Sequence, residues 1–222
     1  MIDNTKGSIA DRRKARKAEN HEAKRNRILD VAGEMFFRQG YANTNLDEIA
    51  LKLGVKKPFI YYYFKDKLDI FETLCVESSK LTCEAFKANG TTGLSPSERL
   101  SLGLNELILR YLQTFAGGAL YYKEPSLLAG DAAKIVRENG LLLHADLLDV
   151  LEDGRRAGEF HFEDTKLTGL LIGGAIGFMF HWYRPDSKLP PDELADYMVD
   201  DLMKIVTSPP ATASASRPGQ QS

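Results

Sequence analysis

Five side chains within a short stretch, Lys56, Lys57, Phe59, Tyr62 and Tyr63, combine two kinds of recognition chemistry. Lysine ammonium groups neutralise phosphates. Tyrosine hydroxyls bond phosphate or base edges, and rings touch thymine methyls. No comparable set for bond-making stands out. The four histidines, His21, His144, His161 and His181, show no metal-ligand spacing, and there is no Ser-His-Asp, paired-carboxylate or phosphate-loop pattern. The expected task is binding without turnover, with no catalytic residue, metal or cofactor.

Such a face needs a short rigid helix to present it. Leu46, Ile49, Ala50 and Leu53 sit at i, i+3, i+4 and i+7, one face of a helix. Thr44 is its expected N-cap, with Asp47 three residues later. Gly54 supplies the left-handed turn. A further helix starts after Val55, carries Pro58 in its first turn and runs through Ile60 to Tyr63. Upstream, Ile28, Ala32, Met35 and Phe36 mark a helix from Ala23 that Gly40 closes. Three such helices make a helix-turn-helix unit. The N-termini of the second helix, at Thr44, and of a fourth behind Asp66, near Lys67, offer free amides to phosphate. A three-helix head without a DNA role would show the same periodicity, its tyrosines then being core aromatics.

Charge divides in the same place. Residues 1–67 carry 15 Lys+Arg and 9 Asp+Glu, net +6; residues 68–222 carry 14 and 22, net −8. A basic head on an acidic body suits a polyanion-binding module joined to a second function, although a solvated basic tail gives the same balance. The 222 residues, 43% apolar and 27% charged, are globular values that exclude wholesale disorder. Cys75 and Cys83 would lie ~12 Å apart on one helix, too far to bridge. A reducing cytoplasm is therefore expected, and the polar, basic N-terminus predicts no secretory signal.

The body reads as helices throughout. Ser95 to Glu98 is a capping box with Pro96 at the first helical position. Behind it Leu100, Leu104, Leu107, Ile108, Tyr111, Leu112 and Phe115 keep helical spacing until Gly117-Gly118, the expected stop. A short helix is expected over Ser126–Lys134, a long one from Ala133 to Ala157, an apolar one over Thr165–Tyr183, and a last from Pro191 to Val206. The fold class is all-α with about nine helices. The expected organisation is a basic flexible arm over 1–22, with continuation into the first helix as the alternative, a helix-turn-helix head over 23–67, a ligand-binding and dimerisation body over 68–206 and a disordered tail over 207–222.

Two further sets belong to the body. Gly169, Gly173 and Gly177 recur every four residues, a stripe that lets another helix approach closely. Membrane helices use such spacing too, but the apolar run from Gly169 to Phe180 is far shorter than the ~20 residues a span needs. The glycines are expected at a dimer interface, with packing inside one chain as the alternative. Phe115, Tyr122, His144, Phe178 and Trp182 are candidate ligand contacts, and ordinary core packing is the competing explanation.

The stretch Ile28 to Phe71 resembles the tetracycline-repressor (TetR) family of bacterial transcription regulators. The residues that carry the likeness are Thr44, Ile49-Ala50, Gly54-Val55, Ile60-Tyr61, Tyr63-Phe64 and Lys67-Leu68. Pro58 departs from it, since the family usually has a small residue there, often glycine. The resemblance implies a homodimer that represses from a palindromic double-stranded DNA operator. It also implies a small effector that changes the spacing of the two heads, and a dimer built on the last two helices. Matched to the motif, Thr44, Lys56, Lys57, Phe59, Tyr61, Tyr62, Tyr63 and Lys67 are the DNA-contacting positions, with burial inside the head as the alternative for Tyr61.

Trp182-Tyr183-Arg184-Pro185, followed by Pro190 to Asp196, resembles a subset of that family which responds to CoA thioesters. That likeness makes an acyl-CoA or aryl-CoA the candidate effector and Arg184 its anchor. In the competing reading Arg184 caps carbonyls and Trp182 is core. The rival functions are a sensor of a free hydrophobic molecule, an enzyme with a DNA-binding head, and a constitutive nucleoid-type DNA binder.

Overall fold

Alanines, lysines, arginines and glutamates dominate the first forty residues, and these are strong helix formers even where no apolar face exists. In the computed structural model, which describes residues 9–87 and 93–208, they form one long helix, α1, over Ile9–Gln39. Residues 9–22 of the expected arm form its first turns, in keeping with the alternative that the arm continues into the first helix, while residues 1–8 lie outside the described part. So do residues 209–222 of the expected tail, and Thr207 still belongs to the last helix.

The described residues hold nine α-helices and no strand. After α1 come α2 (Leu46–Leu53), α3 (Lys57–Tyr61), α4 (Lys67–Thr82), α5 (Pro96–Gln113), α6 (Phe115–Lys123), α7 (Gly130–Ala157), α8 (Thr165–Trp182) and α9 (Pro191–Thr207). Gly117 and Gly118 do not stop a helix. They sit buried inside α6. Residues 126–134 are not a separate helix either: a 3-10 turn at Pro125–Leu127 leads into α7, which runs unbroken to Ala157. No described helix is long and apolar enough to cross a membrane.

The chain forms two compact units, Met1–Glu77 with Ala116–Ala132, and Ser78–Phe115 with Ala133–Ser222. In the first, Ile28, Ala32 and Phe36 of α1 meet Ile49 and Ala50 of α2, Ile60 of α3, and Ile70 and Phe71 of α4, all essentially inaccessible. Burying each of the larger side chains contributes roughly 1.5–3 kcal/mol. The Tyr41 ring lies 5.2 Å from both Phe36 and Phe71. A Cβ on Gly33 would stand 2.9 Å from the Ala116 Cβ, so α6 approaches α1 where only glycine fits comfortably.

In the second unit α5 and α8 both pack on α9. Leu100, Leu104 and Ile108 of α5, Leu151 of α7, Ile172 and Phe180 of α8, and Ala195 and Val206 of α9 form its core. Phe180 stands between Tyr111 and Phe115, with ring centroids 5.4 and 5.3 Å away. Gly103 and Gly154 seat the rings of Phe86 and Phe160, which any Cβ at those positions would strike.

Candidate nucleic-acid interface

The two short helices of the head are placed by their ends. Asn45, not Thr44, caps α2: its side chain accepts from the Glu48 amide at 2.9 Å, and the Glu48 carboxylate accepts from the Asn45 amide at 3.4 Å. Gly54 ends α2 at φ +69°, a conformation that costs a residue with a Cβ about 1–2 kcal/mol. The chain then enters α3 with Lys56 at its N-cap and Pro58 in its first turn. Ile60 points fully inward, which fixes the rotation of this five-residue helix.

That rotation decides which side chains face solvent. Tyr62 is 72% exposed and Tyr61 50% exposed, so Tyr61 does not pack inside the head. Lys56 is also exposed. Lys57 is half-buried, and its ammonium donates to the Asp47 carboxylate at 2.8 Å. That bond raises the lysine's pKa, and the pair ties α3 to α2. Phe59 and Tyr63 are half-buried, with ring centroids 5.3 Å apart, and Tyr62 meets Tyr63 edge-on at 4.9 Å. The outcome is a projecting phenol on an aromatic base, flanked by ammonium groups: donors, acceptors and charge suited to a groove edge and its phosphates.

Two expected contacts are placed elsewhere. Thr44 is buried, its hydroxyl donating to the Gly40 carbonyl at 2.9 Å and accepting from the Gln39 amide nitrogen at 3.1 Å. Its side chain braces the turn before α2 and is not available to phosphate. Lys67 points into the head. Its ammonium donates to the carbonyls of Tyr41 and Thr44, each at 2.8 Å, and lies 4.2 Å from the Tyr41 ring centre. Partners 23 and 26 residues upstream leave no local trace in a sequence.

One participant was missed altogether. His21 of α1 reaches the recognition helix, with its ring 4.7 Å from Tyr63 and 5.8 Å from Tyr62. The clue was helix-forming composition upstream of Ala23, which carries α1 past the head's core.

The candidate ligand contacts fall in both units, and each is described within its own. Phe115 is buried in the aromatic core of the second unit, as the packing alternative has it. Tyr122 belongs to the first unit and pairs edge-on with Tyr121. His144 is half-buried on α7 beside Gly169. Phe178 is exposed and stacks on His181 at 4.9 Å, and Trp182 is exposed rather than core. Nη1 of Arg184 donates to the carbonyls of His181 and Tyr183 at 3.3 and 3.0 Å, so the guanidinium caps the end of α8.

The glycine stripe also splits. A Cβ on Gly169 would meet Leu148 at 2.7 Å, so that glycine serves packing against α7. Gly173 is open, with nothing within 4 Å of its Cβ position, and Gly177 is buried.

Comparison with known proteins agrees with this architecture. Residues 28–74 match the model of the bacterial regulatory proteins of the tetR family, and residues 93–206 match the tetracyclin repressor-like C-terminal domain. The head resembles the HTH-type transcriptional regulator AcrR of Shigella flexneri, 48% identical over 50 residues, which is 22% of this chain and 23% of that one. The HTH-type transcriptional repressor BepR of Brucella suis biovar 1 (strain 1330) is 43% identical over 182 residues, 77% of this chain and 84% of the relative. The crystal structure of AibR in complex with isovaleryl coenzyme A and operator DNA shares the fold, with a TM-score of 0.68 at 18% identity, over 84% of this chain and 99% of that one. With a helix-turn-helix head, an all-helical second unit and a family match to each, this chain belongs to the TetR family of DNA-binding transcriptional regulators.

Proposed function

We propose that this regulator binds an inverted-repeat operator as a homodimer, represses transcription from it in the cytoplasm, and leaves it when a small effector binds the second unit. The observation that carries the DNA reading is the outward set on α3, with Tyr62 and Lys56 exposed over a base of Phe59 and Tyr63. The homodimer is supported by α8, whose Leu167, Leu170, Leu171 and Phe178 are each at least 60% exposed. A second copy of the same face would cover them, and two-fold pairing of the protein calls for a two-fold site in DNA. Selection of bound fragments from the source genome tests this. Recovery of an inverted repeat supports it, and recovery of unrelated sequences with no repeat rejects it.

For the effector, a CoA thioester is the first reading. Its support is the likeness of the Trp182–Pro185 segment to the CoA-responsive subset, together with the shared fold of AibR, whose structure contains isovaleryl coenzyme A. A free apolar molecule is the second reading. It is favoured by Arg184, whose Nη1 already serves the end of α8. In either case release follows from linkage. The effector shifts the heads away from the DNA-competent spacing by no more than its difference in affinity for the two states.

A further inference from the structure

The contact between His21 and the tyrosines of α3 has a geometric consequence for everything N-terminal to it. α1 is a continuous helix from Ile9, so residues before His21 extend along a fixed axis, rising 1.5 Å each. At 100° per residue, Lys17 and Lys14 lie within about 40° of His21 around that axis. They share the stripe that, about two turns after His21, buries Ile28 in the head. They stand ~6 and ~10.5 Å beyond His21, and both are exposed. Glu19 lies on the opposite side of the helix from this stripe and Glu22 roughly 100° away. The face that touches the recognition helix therefore continues as a lysine ridge.

We propose that the N-terminal extension of α1 is a rigid second DNA-contact element, clamped to the recognition helix by His21 and carrying Lys17 and Lys14 to backbone phosphates flanking the half-site. It rests on the reading of α3 as the DNA-facing helix. At 3.4 Å per nucleotide along a strand, the ridge extends the footprint about two to three base pairs past the groove that Tyr62 enters. The contacts are to phosphate, so they add affinity and salt dependence without sequence preference. Helical structure matters because a rigid ridge has its lysines placed before binding, whereas an unstructured arm must order them at an entropic cost.

The test compares the full chain with its Lys14→Ala/Lys17→Ala variant on two probes: the duplex recovered by selection, with ten flanking base pairs on each side, and a random-sequence duplex of equal length. Loss of one phosphate contact lowers the slope of log K against log salt by ~0.9, so the double variant should lose roughly 2 per protomer on both duplexes. The affinity gap between the two proteins should close about tenfold per protomer, or about a hundredfold for a bound dimer, between 50 and 200 mM salt. Trimming the flanks to the half-site edge should abolish the difference. An Ala18→Pro variant, which breaks the helix between the ridge and the clamp, should reproduce the double variant's slope. Unchanged slopes in the double variant would overturn the proposal, and an unchanged slope in Ala18→Pro would overturn its rigid-helix basis. The random duplex reports phosphate contacts even if no inverted repeat is recovered, so failure here is distinct from failure of the operator reading.

Discussion

The ammonium of Lys67 lies 2.8 Å from the backbone carbonyl of Thr44, which it holds together with that of Tyr41. This bond ties the first turn of α4 to the segment joining α1 and α2, and so sets where α2 and α3 stand relative to α4. A lysine in that position at the start of α4 reads in sequence as a phosphate ligand. In the fold, two of its three N–H donors are committed inside the head.

Lys67→Met keeps most of the aliphatic stem against the Tyr41 ring but removes the donors. Hydrogen bonds to a charged group are worth about 1.5–3 kcal/mol, and two carbonyls lose a partner. The variant should unfold at lower denaturant, and its DNA affinity should fall because α2 and α3 lose their support. The slope of log affinity against log salt should stay at the wild-type value. A slope lowered by about 1, with stability unchanged, would return Lys67 to the phosphates.

Tyr62→Ala should do the opposite. The ring is largely exposed, so stability should change little. If its hydroxyl or ring reads a base edge, one position of the operator should lose about 1–3 kcal/mol of discrimination. Comparing binding across duplexes with single-base changes would locate that position. Equal losses at every position would mark Tyr62 as a backbone contact.

The helix-turn-helix was legible because its determinants are local. Apolar spacing in α2, the positive-φ glycine at 54 and the proline in the first turn of α3 each act within a few residues. Assigning the cap to Thr44 missed by one position, since Asn45 and Thr44 are both good cap residues and the choice falls to Glu48, which completes a box with Asn45 alone. The body was less legible. Gly117-Gly118 reads as a stop by propensity, but both glycines are buried within α6, where tertiary context outweighs propensity. The roles of Lys67, His21 and Gly169 depend on partners many residues away, which no periodicity encodes.

Acid stability offers a check within the second unit. The Glu152 carboxylate accepts from Arg155 at 2.7 and 3.1 Å and from the Thr165 hydroxyl at 2.8 Å, linking α7 to the first residue of α8. These bonds pull its pKa from an ordinary 4.5 to about 2. A carboxylate with a depressed folded pKa stabilises the fold above its unfolded value, and that contribution is lost as pH falls through the folded value. Glu152→Gln should therefore be less stable than wild type at neutral pH. The gap between their urea midpoints should narrow only as pH falls from about 4.5 towards 2. A constant gap across that range would mean the loss is steric.

The homodimer reading separates two glycines that a sequence treats alike. Gly173 has open space at its Cβ position, whereas Gly169 faces Leu148. Gly173→Leu should leave the helical signal and thermal midpoint of the protomer intact while shifting sedimentation towards monomer, because an added side chain on a close interface typically costs about 1–3 kcal/mol. Gly169→Leu should instead lower the thermal midpoint. If Gly173→Leu sediments as wild type does, that part of α8 lies outside the interface.

The effector reading turns on the end of α8, where Arg184 closes the helix and Trp182 stands exposed beside it. A guanidinium can grip a phosphate or carboxylate bidentately, but here it must do so from a side chain that already serves two carbonyls. If a CoA thioester is the effector and Arg184 its anchor, acyl-CoA or aryl-CoA should release the protein from its operator, and Arg184→Ala should raise the concentration required. Losing one charge-assisted contact of about 1.5–3 kcal/mol corresponds to a shift of roughly ten- to a hundredfold. Arg184→Ala should also loosen the turn before Pro185, so its thermal midpoint is measured alongside. A shift in release larger than any change in stability supports the anchor. Release by thioesters that is undiminished in Arg184→Ala keeps the ligand class and confines Arg184 to its cap. Release by free acids or neutral apolar molecules, with no response to any thioester, selects the free-ligand reading instead.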